Sequence, residues 1–409
     1  MTSRNGTGPD IVVLADDLTS AGDGAAPFRR TGHEARILLS AGAAAPRPAP
    51  GGRTVPAPGV RAIDLGSRLL DEEAAAACTE RAARLSADAA LLLKTVDSTL
   101  RGHLAAEVRA AWAGSGRRAV VIAPAFPAEG RVTVDSVQYV RGVPVDESDF
   151  ARDPVHPVRC SDLAEVFPEA VAVGPDRVTE LPARVGDGGL IVCSAASDAD
   201  LDRLVAAVPH LDDVLWVGSP GLAAALARRC ARRAGAWAAV PVPVPAPARR
   251  PLVVVGSANP ATRRQLAALH DRADVQGVTV GDDPDATAQA LRDLTAPVLT
   301  LRTPDERRTP TSARALARSL AAVVRALTGE GLVDALVVTG GETAATVLRS
   351  LGVTGVDLLD EPEPGVARGT PLGHPRVPVL IKAGGFGDDG LLLRLCDLVR
   401  QPPARGDHA

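Results

Sequence analysis

The chain has 409 residues, 46% of them hydrophobic, 23% charged and only 2% aromatic, with a formal net charge of -4. That length exceeds what one hydrophobic core usually fills, so two domains are expected, and the composition excludes a disordered chain. Interspersed charge without a basic block excludes nucleic acid as an expected partner, and with no membrane-length apolar run and no signal-peptide layout in MTSRNGTGPD the expected location is cytoplasmic.

Short apolar runs alternate with amphipathic helical stretches almost throughout, the pattern of mostly parallel sheets flanked by helices. In the first part the runs are Ile11–Ala15, Ala35–Leu39, Val60–Ile63, Ala89–Leu93, Ala119–Ile122, Leu190–Cys193 and Val214–Val217. Ligands of open α/β sheets bind at the carboxyl ends of strands, so the residues after each run matter most. IVVLADDLTSAGD puts Asp16 and Asp17 directly after the first run, with Asp23 one turn on. AIDLGSR puts Asp64 and Arg68 after the third, and LLLKTVDSTLRGH puts Lys94, Asp97, Ser98, Arg101 and Gly102 after the fourth. One Asp before a helix reads as an N-cap, but three strands ending in carboxylate plus cation exceed what capping requires. A carboxylate can serve a hydroxyl as base, and Lys or Arg beside it can neutralise an anion. Segment 124–160 is irregular and suggests a short antiparallel excursion.

AWAAVPVPVPAPARRP, residues 236–251, alternates prolines as an extended, solvated linker does. It separates an expected first domain, 1–235, from a second, 252–409. A further proline- and glycine-rich stretch, 41–59, reads as a surface loop. The second-domain runs are Leu252–Val255, Val278–Val280, Val298–Leu301, Ala335–Val338 and Val377–Ile381. Here glycine replaces carboxylate, in VVVGSANPATRRQ, ALVVTGGETAATVL and LIKAGGFGDDGLLLRL. Strand, small residues, then helix is an arrangement that offers backbone N–H groups and a helix dipole to phosphate.

Other chemistries fit less well. Gly385, Gly387 and Gly390 formally satisfy G-x-G-x-x-G, but no second βα unit follows to supply a ribose-binding acid. A Walker A sequence, paired metal-ligand histidines and G-x-S-x-G are absent. The five cysteines have no metal or disulfide spacing and read as reduced thiols. Of 45 basic residues only Lys94 and Lys382 are lysine. Lysine is a compact point charge where arginine is a wide fork, so Lys94 is expected in the substrate site and Lys382 at the phosphate-binding turns. The competing reading is a pair of solvated strand-end heads.

ADDLTSAGD, KTVDSTLRGH, APAFPAEGRVTVDSVQYVRGVPV with Asp153 and Pro154, VVGSANPATRRQ, VTGGETAATVL with PGVARGTPL, and KAGGFGDDGLL occur in this order. Together they resemble the four-carbon acid sugar kinase family, the kinases of threonate, erythronate and 3-oxo-tetronate. The first motif departs from the commoner ADDLTGAND at Ser20 and Gly22. The resemblance implies an amino-terminal sugar-acid domain and a carboxyl-terminal nucleotide domain. It implies substrate contacts by Asp16, Arg68 and the turn of Lys94, Thr95, Val96 and Asp97. It implies ATP contacts by Ser257, by Gly340, Gly341, Glu342 and Thr343, and by Gly385. The expected fold is therefore α/β, with two domains, each a mostly parallel sheet flanked by helices, and a ligand cleft between them. The expected reaction is transfer of the γ-phosphoryl of ATP to a sugar-acid hydroxyl, with Mg²⁺ neutralising the phosphates. Arg68, Lys94 and Arg101 would hold the substrate carboxylate or the phosphoryl group, with Asp17 and Ser98 beside them. Asp97 or Asp16 would orient or deprotonate the hydroxyl, while Lys382 and Gly384 would join the nucleotide site. The metal ligands stay open, as does assembly into a homo-oligomer. The alternatives are a sugar-acid sensor and a dinucleotide-dependent oxidoreductase.

Overall fold

Runs of Val, Leu, Ile and Ala bounded by turn formers become the strands of two sheets. The computed structural model describes residues 11–39, 59–153, 156–234, 245–257, 259–305, 310–374 and 377–401. It falls into two units, Met1–Val240 and Pro241–Ala409.

In the first unit the strands are β1 (Ile11–Ala15), β2 (Ala35–Leu39), β3 (Val60–Asp64), β4 (Leu91–Thr95), β5 (Ala119–Ala123), β6 (Arg131–Val134), β7 (Val137–Val140), β8 (Val143–Pro144), β9 (Val171–Val173), β10 (Gly189–Cys193) and β11 (Val214–Gly218). The main sheet runs β2-β3-β1-β4-β11-β5-β10-β9, and every neighbouring pair is parallel. Helices cover both faces, which is why β1, β4, β5 and β11 are buried at every residue and why β1, β5 and β11 appear in the sequence as unbroken apolar runs. Because β3, β1 and β4 are neighbours, the three carboxylate-bearing turns emerge side by side. The predicted excursion is the antiparallel set β6-β7-β8. Asp135 and Ser136 at its first turn both have positive φ, 47° and 69°, as a two-residue hairpin turn requires.

The fourth strand sits two residues later than its apolar residues suggest. Lys94 pairs in register with Leu14 on one side and Val217 on the other, inside the sheet rather than after it. A lysine is tolerated there because a carboxylate partner waits beneath it, described below.

In the second unit β12 (Pro251–Val255), β13 (Val275–Thr279), β14 (Val298–Arg302), β15 (Ala335–Thr339), β16 (Gly355–Glu363), β17 (Val366–Pro371) and β18 (Val379–Lys382) run in the order β13-β14-β12-β15-β18-β17-β16. The first five are parallel, and β17 and β16 add antiparallel. That last hairpin escapes sequence reading because DEPEPG interrupts any alternation. Two register shifts between Leu358 and Glu363 accommodate the irregular residues. Of the expected linker, 236–244 lies outside the described residues, as does 41–58 of the expected surface loop. The linker's last part is bound rather than solvated. Ala248 N–H donates to Val399 O at 2.7 Å, Arg249 and Arg250 N–H donate to the Asp334 carboxylate, and Pro251 opens β12. Among the described residues no helix is long and apolar enough to cross a membrane.

Helix Leu104–Ser115 packs on helix Glu72–Leu85 through Gly114, where an added Cβ would lie 2.2 Å from Glu80 O. Backbone on both sides leaves nothing that can swing away. Gly114→Val should therefore lower the stability of the first unit by about 1–3 kcal/mol, read as a lower denaturant midpoint at unchanged slope.

Candidate functional site

Asp16 and Asp17 are adjacent in sequence and do different things. Asp17 is an N-cap for helix Leu18–Arg30, accepting from Ser20 N–H at 2.7 Å and from the Thr19 hydroxyl at 2.8 Å. Asp16 caps nothing. It is nearly buried and accepts two N–H bonds from the Arg68 guanidinium, at 2.7 and 2.9 Å. The third guanidinium nitrogen lies 2.7 Å from Asp17 Oδ2. Arg68 is aimed by a short turn after β3, in which its own N–H donates to Asp16 O. Burial alone would raise the Asp16 carboxyl, but Arg68 and Lys94 outweigh it and hold it below its ordinary value. Asp64 ends β3 and accepts from Gly66 N–H.

Lys94 is 1% exposed. Its ammonium lies 2.8 Å from Glu107 Oε2 and donates to Thr95 O at 2.8 Å. The solvated-head reading is thus overturned. Lys94 is close enough to Asp16 to lower its pKa, yet its charge is matched from below. Glu107 was not among the residues the sequence singled out, although an acid on the otherwise apolar face of LAAEVRAAW was the available clue. Thr95 and Val96 turn toward the interior: the Thr95 hydroxyl donates to Leu14 O, and Val96 joins the hydrophobic core.

The chain then makes a tight turn. Asp97 Oδ1 accepts from Thr99 N–H at 2.8 Å and from its hydroxyl at 2.6 Å, while Oδ2 meets Arg101 at 2.5 Å. Leu100 has φ 60°, rare for a branched side chain, and Gly102 has φ 93°. A Cβ on Gly102 would lie 3.3 Å from Asp16 Oδ2, so this turn rests against the Asp16–Arg68 pair. Burial would raise the Asp97 carboxyl, but Arg101, Arg68 and Arg131 hold it far below the usual carboxylate range. In this state it accepts hydrogen bonds and is a poor proton acceptor. Arg101 also reaches Asp153 at 3.3 Å and lies over the Phe150 ring. Pro154 is outside the described residues.

Two further residues from the excursion reach this turn. Arg131 donates to the Ser98 hydroxyl at 2.6 Å and Gln138 donates to Ser98 O at 2.8 Å. The first unit therefore gathers Asp16, Asp17, Arg68, Lys94, Asp97, Ser98, Arg101 and Arg131 at one end of its sheet. Cations and carboxylates alternate there, an arrangement able to hold a small anionic polyol.

The second unit is built of backbone. β12, β15 and β18 are neighbours, so the turns at Ser257, Gly340–Gly341 and Gly384–Gly385 meet. A Cβ on Gly384 would lie 2.4 Å from Ser257 Oγ, and one on Gly256 would lie 2.0 Å from Thr343 Oγ1. Gly340 has φ 89° and precedes helix Gly341–Ser350, whose start carries no side-chain cap. Its first-turn N–H groups, at Gly341, Glu342 and Thr343, lie where the helix dipole is positive. Glycine turns beside a helix start are an arrangement able to accept phosphate. Burial pushes the Glu342 carboxyl up against the opposing charge of Arg314. Lys382 is fully buried and donates to Ala383 O at 2.9 Å, with Gly384 O and Thr262 Oγ1 each at 3.4 Å. No carboxylate pairs with it among the described residues, and burial pushes its pKa down to about 8. Groups of three or more His, Cys, Asp or Glu placed to hold a metal are absent among the described residues.

Two family models match, one described as a sugar-binding N-terminal domain over residues 11–226, the other as a nucleotide-binding C-terminal domain over 252–392. A D-threonate kinase from Bordetella bronchiseptica is 36% identical, covering 96% of this chain and 98% of its own. One from Cupriavidus necator is 34% identical, covering 93% and 96%. A 3-oxo-tetronate kinase from Methylobacterium radiotolerans is 30% identical, covering 94% and 98%. A solved structure from Salmonella typhimurium LT2, 23% identical over 94% of this chain and 98% of that one, has the same fold with a TM-score of 0.76.

Two outcomes follow from the buried lysines. Lys94→Met strands the Glu107 carboxylate and should cost about 3–5 kcal/mol, most of which Lys94→Met with Glu107→Leu recovers; urea unfolding of both reads this directly. For Lys382 the folded-state pKa lies below its ordinary 10.5, at about 8. Between those values the unfolded chain binds the proton and the folded chain does not, so stability rises with pH across that interval. Cys193 and Cys396, pushed up to about 12 by burial, act in the opposite direction above pH 9, so the readout is a difference: unfolding at stepped pH should show the stability of the unmodified protein rising relative to that of Lys382→Met between about 8 and 10.5.

Proposed function

Because the chain belongs to the four-carbon acid sugar kinase family and is therefore a phosphotransferase acting on a hydroxyl group, we propose that it phosphorylates D-threonate at the expense of ATP. The observation that carries this reading is the charged end of the first sheet, where Arg68, Lys94, Arg101 and Arg131 stand among Asp16, Asp17 and Asp97. D-threonate is the acid of choice because the relatives at 36% and 34% identity carry that name.

ATP would supply an electrophilic γ-phosphoryl group, the bond to the substrate hydroxyl oxygen forming as the bond to ADP breaks, and Mg²⁺ would share the negative charge left on ADP. Ser257, Gly340, Gly341, Glu342, Thr343, Gly384 and Gly385 would hold the nucleotide through backbone and hydroxyl groups, with Lys382 fixing the Gly384 turn. In the first unit Arg68, Arg101 and Arg131 would bind the sugar acid and place its hydroxyls. Asp97 and Asp16 would each accept a hydrogen bond from a substrate hydroxyl. Their low basicity suits a loose transition state, in which the attacking hydroxyl keeps its proton until late and positioning supplies most of the catalysis.

The test is release of ADP by the purified protein with ATP and Mg²⁺, offered D-threonate, D-erythronate or 3-oxo-tetronate. Release that depends on an acid, with D-threonate giving the largest kcat/KM, is expected; ADP formation indifferent to all three would overturn the proposal. Asp97→Asn, which removes the charge that orients the hydroxyl, should keep acid binding within about tenfold while lowering kcat by roughly 100-fold.

A further inference from the structure

The glycine turn at 383–387, which follows β18, is tied from its inner side by three side chains. From helix Pro260–His270, Thr262 donates its hydroxyl to Gly384 O at 2.7 Å. One turn further along the same helix, Gln265 Nε2 donates to Phe386 O at 2.9 Å and to Gly387 O at 3.1 Å. Lys382 donates to Ala383 O at 2.9 Å and to the Thr262 hydroxyl at 3.4 Å. Thr262, Gln265 and Lys382 are all fully buried. The carbonyls of Ala383, Gly384, Phe386 and Gly387 are thus drawn into the unit.

In a planar trans peptide the carbonyl of one residue and the N–H of the next point in opposite directions. Drawing in the oxygens of Ala383, Gly384 and Phe386 therefore turns out the N–H groups of Gly384, Gly385 and Gly387. None of these three has a hydrogen-bond partner among the described residues, and Gly385 and Gly387 are exposed. Phe386 N–H is the exception, closing the turn onto Ala383 O at 3.3 Å. Glycine backbone has little preference of its own, so side chains have to decide which way these peptides face. Satisfying the carbonyls does not explain the bonds: turned the other way, the exposed Gly387 peptide would find water. Gln265 also buries an Oε1 that has no partner among the described residues, a polar atom that costs stability where it lies. The bonds orient the turn more than they stabilise it.

We propose that Thr262 and Gln265 are positioning residues of the nucleotide site, which touch no ligand themselves and hold the 384–387 turn with its N–H groups outward to receive the phosphates of ATP. This rests on the nucleotide reading of that turn. A peptide turned over would present a carbonyl oxygen to the anion, replacing an attracting dipole by a repelling one. Lys382 belongs to the same chain of bonds: it donates to Thr262, which donates to Gly384 O, so its charge polarises the bond that aims Gly385 N–H. Both positioning residues lie in VVGSANPATRRQ, the segment whose Ser257 was expected at the nucleotide.

The experiment compares the full unmodified chain with Gln265→Met, Thr262→Val and Thr262→Ser, by calorimetry of ADP and by kinetics with ATP and D-threonate each varied in turn. Gln265→Met and Thr262→Val should each weaken ADP binding and raise the KM for ATP by about 10-fold or more, with kcat and the KM for D-threonate changing by less than about threefold. Thr262→Ser, which keeps the donor, should stay within about threefold of the unmodified protein throughout. Urea unfolding separates positioning from packing. A Gln265→Met or Thr262→Val protein that is folded and binds ADP as the unmodified chain does would overturn the proposal, whether or not its stability has fallen. The two variants act at different peptides of the turn, so either carries the test if the other does not fold. An unmodified protein that binds ADP but phosphorylates no acid would overturn the sugar-acid kinase reading, and the calorimetric comparison would still decide the roles of Thr262 and Gln265. An unmodified protein that binds neither ADP nor ATP would overturn both.

Discussion

Buried charge has to be compensated where it lies, and that constraint shapes the carboxyl end of the first sheet more than any other. Lys94 sits inside a strand whose neighbours on both sides are buried, a position a lone ammonium could occupy only at a cost of several kcal/mol. Glu107, presented from the first turn of helix Leu104–Ser115, makes it possible. That helix is in turn set close to helix Glu72–Leu85 by Gly114. With Lys94 fixed, β4 ends where the Asp97 turn can rest on Asp16. The pairing of Asp16 with Arg68 then ties the ends of β1 and β3 to the same point.

The two units place charge and hydrogen-bond donors in different ways. The first uses side-chain charge, with Asp16, Asp17 and Asp97 each meeting an arginine and Glu107 meeting Lys94. Its geometry is therefore made of hydrogen bonds between long-range partners. The second uses the backbone: three turns close enough that Ser257 and Gly384 tolerate no added carbon between them, and a helix start without a side-chain cap. Lys382 lies behind those turns with carbonyl and hydroxyl oxygens for partners and no carboxylate among the described residues. A sugar acid offers hydroxyls and one carboxylate and needs both signs of charge around it, whereas a nucleotide's phosphates need only donors.

Arginine takes 43 of 45 basic positions in this chain, and the two exceptions occupy comparable places, Lys94 near the end of β4 and Lys382 at the end of β18. Both are among the largest fully buried side chains of the protein. A guanidinium needs room in a plane and as many as five acceptors. At these strand ends the structure offers two or three acceptors close to the main chain, which suits a compact ammonium.

Sequence alone determined the alternation of strand and helix, the division into a carboxylate-rich and a glycine-rich half, and the residues that follow each strand, because all of these are local or periodic properties. It also singled out Lys94 and Lys382, since composition made them rare. It did not decide that Asp17 caps a helix as well as meeting Arg68 while Asp16 only pairs, because the two differ in whether a backbone N–H three residues on also reaches them. Glu107, Arg131 and Gln138 were hidden for another reason: their partners lie on other elements, at Lys94 and Ser98, and no spacing within one segment encodes a contact between two. The hairpin of β16 and β17 was hidden because its prolines and acids break the alternation that marks a strand, while pairing of β17 with β18 is a contact between distant segments. Tertiary structure decided these points because burial and charge pairing are properties of neighbours in space.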